Sequence, residues 1–78
     1  MKLTDAMIRE RVNNIFARYN HSLSMETIKT FFIRDLCHKD MITDTKAHAN
    51  YASRVEKVIR TSKSYIVHID PYKGVCRV

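Results

Sequence analysis

Lys46, Asn50, Ser53, Lys57 and Arg60 follow one another at spacings of four, three, four and three, with Arg54 among them. On a helix this rhythm gathers side chains onto one face. Projected at about 100° per residue, the five fall within about 40° of a common direction and Arg54 flanks them. Ala47, Tyr51, Ala52, Val55, Val58 and Ile59 fill the opposite sector, and the acid Glu56 projects to the side, near Ala49. Lys and Arg neutralise phosphates, Asn can pair with an adenine edge, and Arg with guanine. The short side chains of Asn50 and Ser53 would let such a helix lie close to a groove floor. Two plainer readings stay open for the face: a solvated basic surface that binds nothing in particular, or one that meets an acidic protein.

The wider charge distribution points the same way. From Thr45 to Val78 seven bases (Lys46, Arg54, Lys57, Arg60, Lys63, Lys73, Arg77) stand against two acids (Glu56, Asp70), a net +5. Residues 1–44 hold seven bases against six acids, a net +1, which completes the +6 of the chain. Asymmetry of this kind speaks to partners rather than to fold, and makes a polyanion the first candidate.

Other chemistries find little support in the sequence. Gly74 is the one glycine, so there is no phosphate-cradling glycine loop and no nucleotide motif. Cys37 and His38 are neighbours on a helical stretch and point about 100° apart, which does not make a dyad. Cys37 reads as a small buried hydrophobe. His21, His38, His48 and His68 fall in different elements with no zinc spacing, and His48 reads as a partly buried core residue. No cofactor, metal or catalytic site is expected, and the protein is not read as an enzyme.

The 78 residues suit a single domain with a thin core. Apolar residues make up 45% and charged ones 28%, the balance of an ordinary globule rather than a disordered tail. No apolar run approaches the ~18 residues of a membrane span. The start, Met1 to Asp5, leads straight into an amphipathic pattern with no apolar signal region. With two cysteines and no CxxC spacing, a reducing, cytoplasmic setting is expected and a disulfide framework is not.

The elements that must position the basic face read as follows. Thr4 caps a first helix from about Asp5 to Tyr19, with Ile8, Val12, Ile15, Phe16 and Tyr19 on its apolar side and Asn20-His21-Ser22 ending it. Leu23 stands alone between serines, as a rung of a short strand or a staple onto the next helix. Ser24 caps a second helix, from Met25 to about His38, whose stripe runs through Met25, Ile28, Phe31 or Phe32 and Leu36. Residues 38–43 connect, and Met41 and Ile42 are expected to plug into the core. Thr43 or Asp44 caps the third helix, about 44–61. The period then changes to two: Tyr65, Val67 and Ile69 share one side of a strand, Asp70-Pro71-Tyr72-Lys73-Gly74 is turn chemistry, and Val75–Val78 returns. Pro71 presets φ at the turn's second position, and Gly74 can take positive φ. Phe16, Phe31 and Phe32 are expected in the core, with Tyr19, Tyr51 and Tyr65. Tyr72, at the turn, is the aromatic without an evident burial partner.

Three helices followed at once by a hairpin, with a basic third helix, resembles a winged helix-turn-helix domain covering about Asp5 to Val78. The resemblance implies an α+β fold, a three-helix bundle with a C-terminal β-hairpin. It also implies a third helix that enters the major groove, with Lys46, Asn50, Ser53, Arg54, Lys57 and Arg60 as the reading residues. Lys73 and Tyr72 would form the wing tip, with Lys63 and Arg77 near phosphates. The connection between the second and third helices is longer than the usual tight turn, and the wing is short. The function expected is a DNA-binding regulator of transcription or accessory factor, with DNA preferred over RNA. A homodimer would enlarge the small contact area, and Arg9, Arg11 and Arg18 on the first helix would add phosphate contacts. The alternative is a phage-type inhibitor or adaptor whose basic face meets an acidic groove on a host polymerase, nuclease or defence protein.

Overall fold

Three oxygen-bearing side chains start three helices. The computed structural model describes residues 2–19, 21–70 and 72–78. Among the described residues the order is α1 (Asp5–Tyr19), α2 (Met25–Lys39), α3 (Thr45–Thr61), β1 (Tyr65–Val67) and β2 (Val75–Arg77). Thr4 Oγ1 accepts from Met7 N–H at 3.2 Å, Ser24 Oγ from Thr27 N–H at 3.1 Å, and Asp44 Oδ1 from Lys46 N–H at 3.3 Å. Each bond satisfies one N–H that the first turn leaves without a helical partner. The roles expected of Asn20 and Pro71 lie outside the described residues.

The core is where the three apolar stripes meet. Ile8, Val12, Ile15 and Phe16 of α1, Ile28, Phe32 and Leu36 of α2, and Tyr51, Val55, Val58 and Ile59 of α3 are buried together. The hairpin adds Tyr65 and Val75, and Leu3 and Leu23 close the cluster. Tyr65 stacks on Phe16 with ring centroids 5.3 Å apart, and its hydroxyl donates to Asn13 Oδ1. Of the other aromatics, Phe32 fills the centre, while Tyr19 and Phe31 lie half-buried and stack on each other at 4.9 Å.

β1 and β2 pair antiparallel, Tyr65 opposite Arg77, Ile66 opposite Cys76 and Val67 opposite Val75. Leu23 supplies the strand rung that its isolated position allowed. Its N–H donates to Val75 O at 3.1 Å and its carbonyl accepts from Val75 N–H at 2.7 Å. The hairpin is thereby tied to the connection between α1 and α2. Gly74 sits beside this rung with φ 62°, and a Cβ there would stand 2.5 Å from the Leu23 carbonyl oxygen. Glycine is required twice over, by conformation and by space.

Met41 and Ile69 depart from their expected places in the core and on the strand. Met41 is 79% exposed at φ 57°, the left-handed turn that reverses the chain after α2. The reversal brings Ile42 N–H to Leu36 O at 2.9 Å and packs Ile42 on the core, which throws Met41 outward. Ile69 does not share the buried side of Tyr65 and Val67: it is fully exposed, and β1 ends at Val67. The last hairpin bond, His68 N–H to Gly74 O at 3.0 Å, leaves Ile69 in the turn beyond the core's edge. The return strand likewise stops at Arg77, and α2 runs to Lys39.

Candidate nucleic-acid interface

α3 packs its buried stripe on both other helices and turns Lys46, Asn50, Ser53, Lys57 and Arg60 to solvent. Lys46, Asn50, Ser53 and Lys57 form a single row at steps of four, three and four. Among the described residues neither lysine has an acidic partner. Two short polar side chains therefore lie between two unpaired cations.

The flanking arginines are engaged at home. Arg54 is half-buried, its guanidinium carbon 5.4 Å from the Tyr51 ring centre and its Nη2 2.9 Å from Asp5 Oδ1. Arg60 Nε lies 3.0 Å from Glu56 Oε2, while Lys29 Nζ reaches Glu56 Oε1 at 2.5 Å. Glu56 thus joins α2 to α3 and draws Arg60 toward itself. Hydrogen bonds from Lys29 and then Arg60 hold its carboxyl below the usual range. The outer face carries no acid of its own, yet an acid at its margin takes part of its charge.

Lys2 is an addition that projection of α3 alone does not reveal. The Leu3 N–H donates to the Tyr51 hydroxyl at 3.1 Å, which lays the chain before α1 against α3. Lys2 then shares a hollow with Ala47, Asn50, Ser53 and Arg54.

The hairpin stands at the other end of the face. Arg60 shares a hollow with Val67, His68, Ile69 and Gly74 of the hairpin, with Met25 and Glu26 of α2 and with Ser24, which caps α2. Lys63 is exposed in the link between α3 and β1, and Tyr72 and Lys73 are exposed at the tip. Arg77 is at the opposite end of the hairpin from that tip. It lines a cleft with Phe16, His21, Ser22 and Cys76, on the α1 side. Burial pushes the Tyr65 phenol up, and the charges of Arg77 and Arg9 oppose that shift, which places both arginines near it. The structure therefore gathers the α3 row with Lys2, sets the tip beyond its C-terminal end, and leaves Arg77 with α1.

The bases of α1 differ from the sequence expectation. Arg11 forms a two-pronged pair with Asp40, with Nη2 3.0 Å from Oδ1, and Arg18 lies 3.6 Å from Asp35. Arg9 alone of the three is exposed without an acidic partner among the described residues.

Each cysteine meets a histidine other than its sequence neighbour. Cys37 Sγ is 3.5 Å from His48 Nε2, which also lies 2.8 Å from Ile42 O, and Cys76 Sγ is 3.3 Å from His68 Nε2. Among the described residues no group of three or more His, Cys, Asp or Glu gathers as a metal site would need. Among the same residues no helix is long and apolar enough to cross a membrane. Compared with family models, curated proteins and solved structures, the chain has no match.

Proposed function

We propose that this protein binds duplex nucleic acid, DNA in preference to RNA, as a regulator of transcription or accessory factor. The observation that carries the reading is the row Lys46, Asn50, Ser53, Lys57: exposed, with both of its lysines unpaired and with short polar residues at its centre. Eleven residues at 1.5 Å each set the two lysines roughly 16 Å apart along the axis. A B-form major groove is about 12 Å wide. Lysines at that separation can reach phosphates on both walls while Asn50 and Ser53 meet base edges. The deep, narrow major groove of A-form RNA does not admit a helix, hence the preference for DNA. Three helices with a trailing antiparallel hairpin are compatible with a winged-helix layout, in which Lys63, Tyr72 and Lys73 would meet the neighbouring backbone.

A salt titration against a generic duplex tests this. With Lys2, Lys46, Lys57, Lys63 and Lys73 on phosphates, log K is expected to fall against log salt with a slope of about −4 to −5. Asn50→Ala is expected to shift preference between sequences while leaving that slope unchanged. Absence of duplex binding at ~50 mM salt, where non-specific contacts are strong, would overturn the reading and leave an acidic protein surface as the partner to seek.

A further inference from the structure

Two hollows flank the α3 row, and Ser53 lines both. On one side Ser53 is joined by Glu56, Lys57, Arg60 and Thr61, and there Glu56 already holds Arg60. On the other side it is joined by Lys2, Ala47, Asn50, Tyr51 and Arg54, with no acid in the lining. Among the described residues the side chains of Lys2, Asn50 and Ser53 have no hydrogen-bond or ion-pair partner. A hollow edged by an ammonium, an amide, a hydroxyl and a guanidinium, and by no carboxylate, suits an anion with several acceptor oxygens.

This second hollow is built before any ligand arrives. Leu3 is 1% exposed, and its N–H donates to the Tyr51 hydroxyl. Thr4, the next residue, caps α1. Lys2 therefore adjoins an anchored stretch of chain. Arg54 is fixed by Asp5 and by the face of the Tyr51 ring, and Asp5, so engaged, does not line the hollow. Tyr51 thus holds both cations, Arg54 through its ring and Lys2 through the bond to Leu3. Fixing donors in advance lowers the entropic cost of using them.

We infer, on the duplex-binding reading above, that this hollow seats one backbone phosphate of the duplex, held by Lys2 and Ser53 beside Arg54, and that Tyr51 is the positioning residue that keeps Lys2 there. Lys46 and Lys57 lie along the row and set the helix lengthwise in the groove. A phosphate seated on one flank does something else: it fixes how the helix is rolled about its own axis, and so where Asn50 points. Phosphate contacts position a protein on a duplex, and base contacts specify the sequence. The seat is one-sided because the opposite hollow contains the Glu56 carboxylate, which repels a phosphate.

The test is a set of salt titrations on a generic DNA duplex, each run well below the melting temperature of the variant. Lys2→Ala and Lys2→Gln are each expected to keep that temperature and to flatten the salt slope by about 1, and Lys2→Arg to keep the wild-type slope. Arg34→Ala removes an exposed base of α2 that lines neither hollow, and is expected to leave the slope unchanged. Tyr51→Phe keeps every charge and the ring under Arg54. By loosening Lys2 it is expected to weaken duplex binding about threefold. Once Lys2 is alanine, Tyr51→Phe should have no further effect on binding, because both changes act through one contact. Replacing chloride by inorganic phosphate at matched ionic strength should leave wild-type binding unchanged. The seat is overturned, while duplex binding stands, if Lys2→Ala keeps the wild-type slope or if Arg34→Ala flattens it equally. It is overturned too if Tyr51→Phe weakens binding equally with and without Lys2, or if inorganic phosphate competes, which would mark a site for a free anion. If the wild type does not bind the duplex at ~50 mM salt, both readings fall together.

Discussion

Arg11 and Lys57 are both long basic side chains on helices, and they end in opposite situations. Arg11 is folded onto Asp40, whose side chain is only 7% exposed, and so pins α1 to the connection between α2 and α3. Lys57 stands in solvent with no acidic partner among the described residues, its neighbour Glu56 being taken by Lys29 and Arg60. The same division runs through the molecule. Arg18, Lys29 and Arg54 face acids on other elements, whereas Lys46, Lys57, Lys63 and Lys73 face none. Paired charges hold the helices to one another. Among the described residues unpaired ones line α3 and the hairpin, with others such as Arg9 on α1, and repulsion between them is tolerated because water and salt screen it. Net charge by itself does not separate these two populations; pairing does.

The comparison breaks most visibly if the paired set is dispensable. Asp40→Ala strands the Arg11 guanidinium without its partner, and is expected to cost about 2–3 kcal/mol, a fall in Tm of about 10 °C or more in a domain this small. Duplex affinity measured well below that Tm should not change. Acid should do the same to the wild type. The hydrogen bonds from Arg11 hold the Asp40 carboxyl below its ordinary range, as Lys29 and Arg60 hold that of Glu56. A carboxyl whose folded pKa is depressed contributes stability that is complete above its unfolded pKa and is lost as pH falls through the folded one. Tm is therefore expected to be flat from neutrality to about pH 5 and to fall below about pH 4. Asp40→Asn, followed by calorimetry over the same range, should give a shallower fall.

The unpaired set should respond in the opposite sense. Lys46→Ala with Lys57→Ala is expected to leave stability within about 0.5 kcal/mol and to flatten the salt slope by about 2. A loss of folding instead would mean that the row is structural. The smallest effect sharpens the comparison by moving one residue across it. Glu56→Gln removes the charge that occupies Arg60, and is expected to tighten duplex binding about threefold at a stability cost of about 1 kcal/mol or less. An unchanged affinity would show that Arg60 lies outside the contact.

Much of the fold was legible from residue chemistry. Thr4, Ser24 and Asp44 mark helix starts because each can satisfy a free N–H, and the apolar side of α3 is so distinct that every residue projected outward from Lys46 to Arg60 is exposed. Periodicity shows which way a side chain faces but not what stands opposite. Hence Arg54 was set beside the outer face with nothing to show that Asp5 holds it, and Arg11 was read as an outer phosphate contact, although Asp40 binds it; the Glu56–Arg60 pair, at i and i+4, lay within reach of the sequence. Lys2 escaped notice because its place depends on a bond between Leu3 and Tyr51, far apart in the chain. Met41 was expected to plug into the core and Ile69 to share a strand side with Tyr65 and Val67; backbone reversal exposes the first, and the end of β1 at Val67 leaves the second in the turn.

The rung between Leu23 and Val75 also bears on the order of folding. It joins the link after the first helix to the last strand, so nearly the whole intervening chain must be arranged before it can close. Helices assemble from local contacts and faster than such distant pairings. We expect the three helices to collapse first and the hairpin to dock last, with the rung absent from the transition state. Weakening it, for instance by Gly74→Ala, should then speed unfolding while leaving the refolding rate nearly unchanged in a stopped-flow chevron. Equal slowing of refolding would place the rung in the nucleus instead.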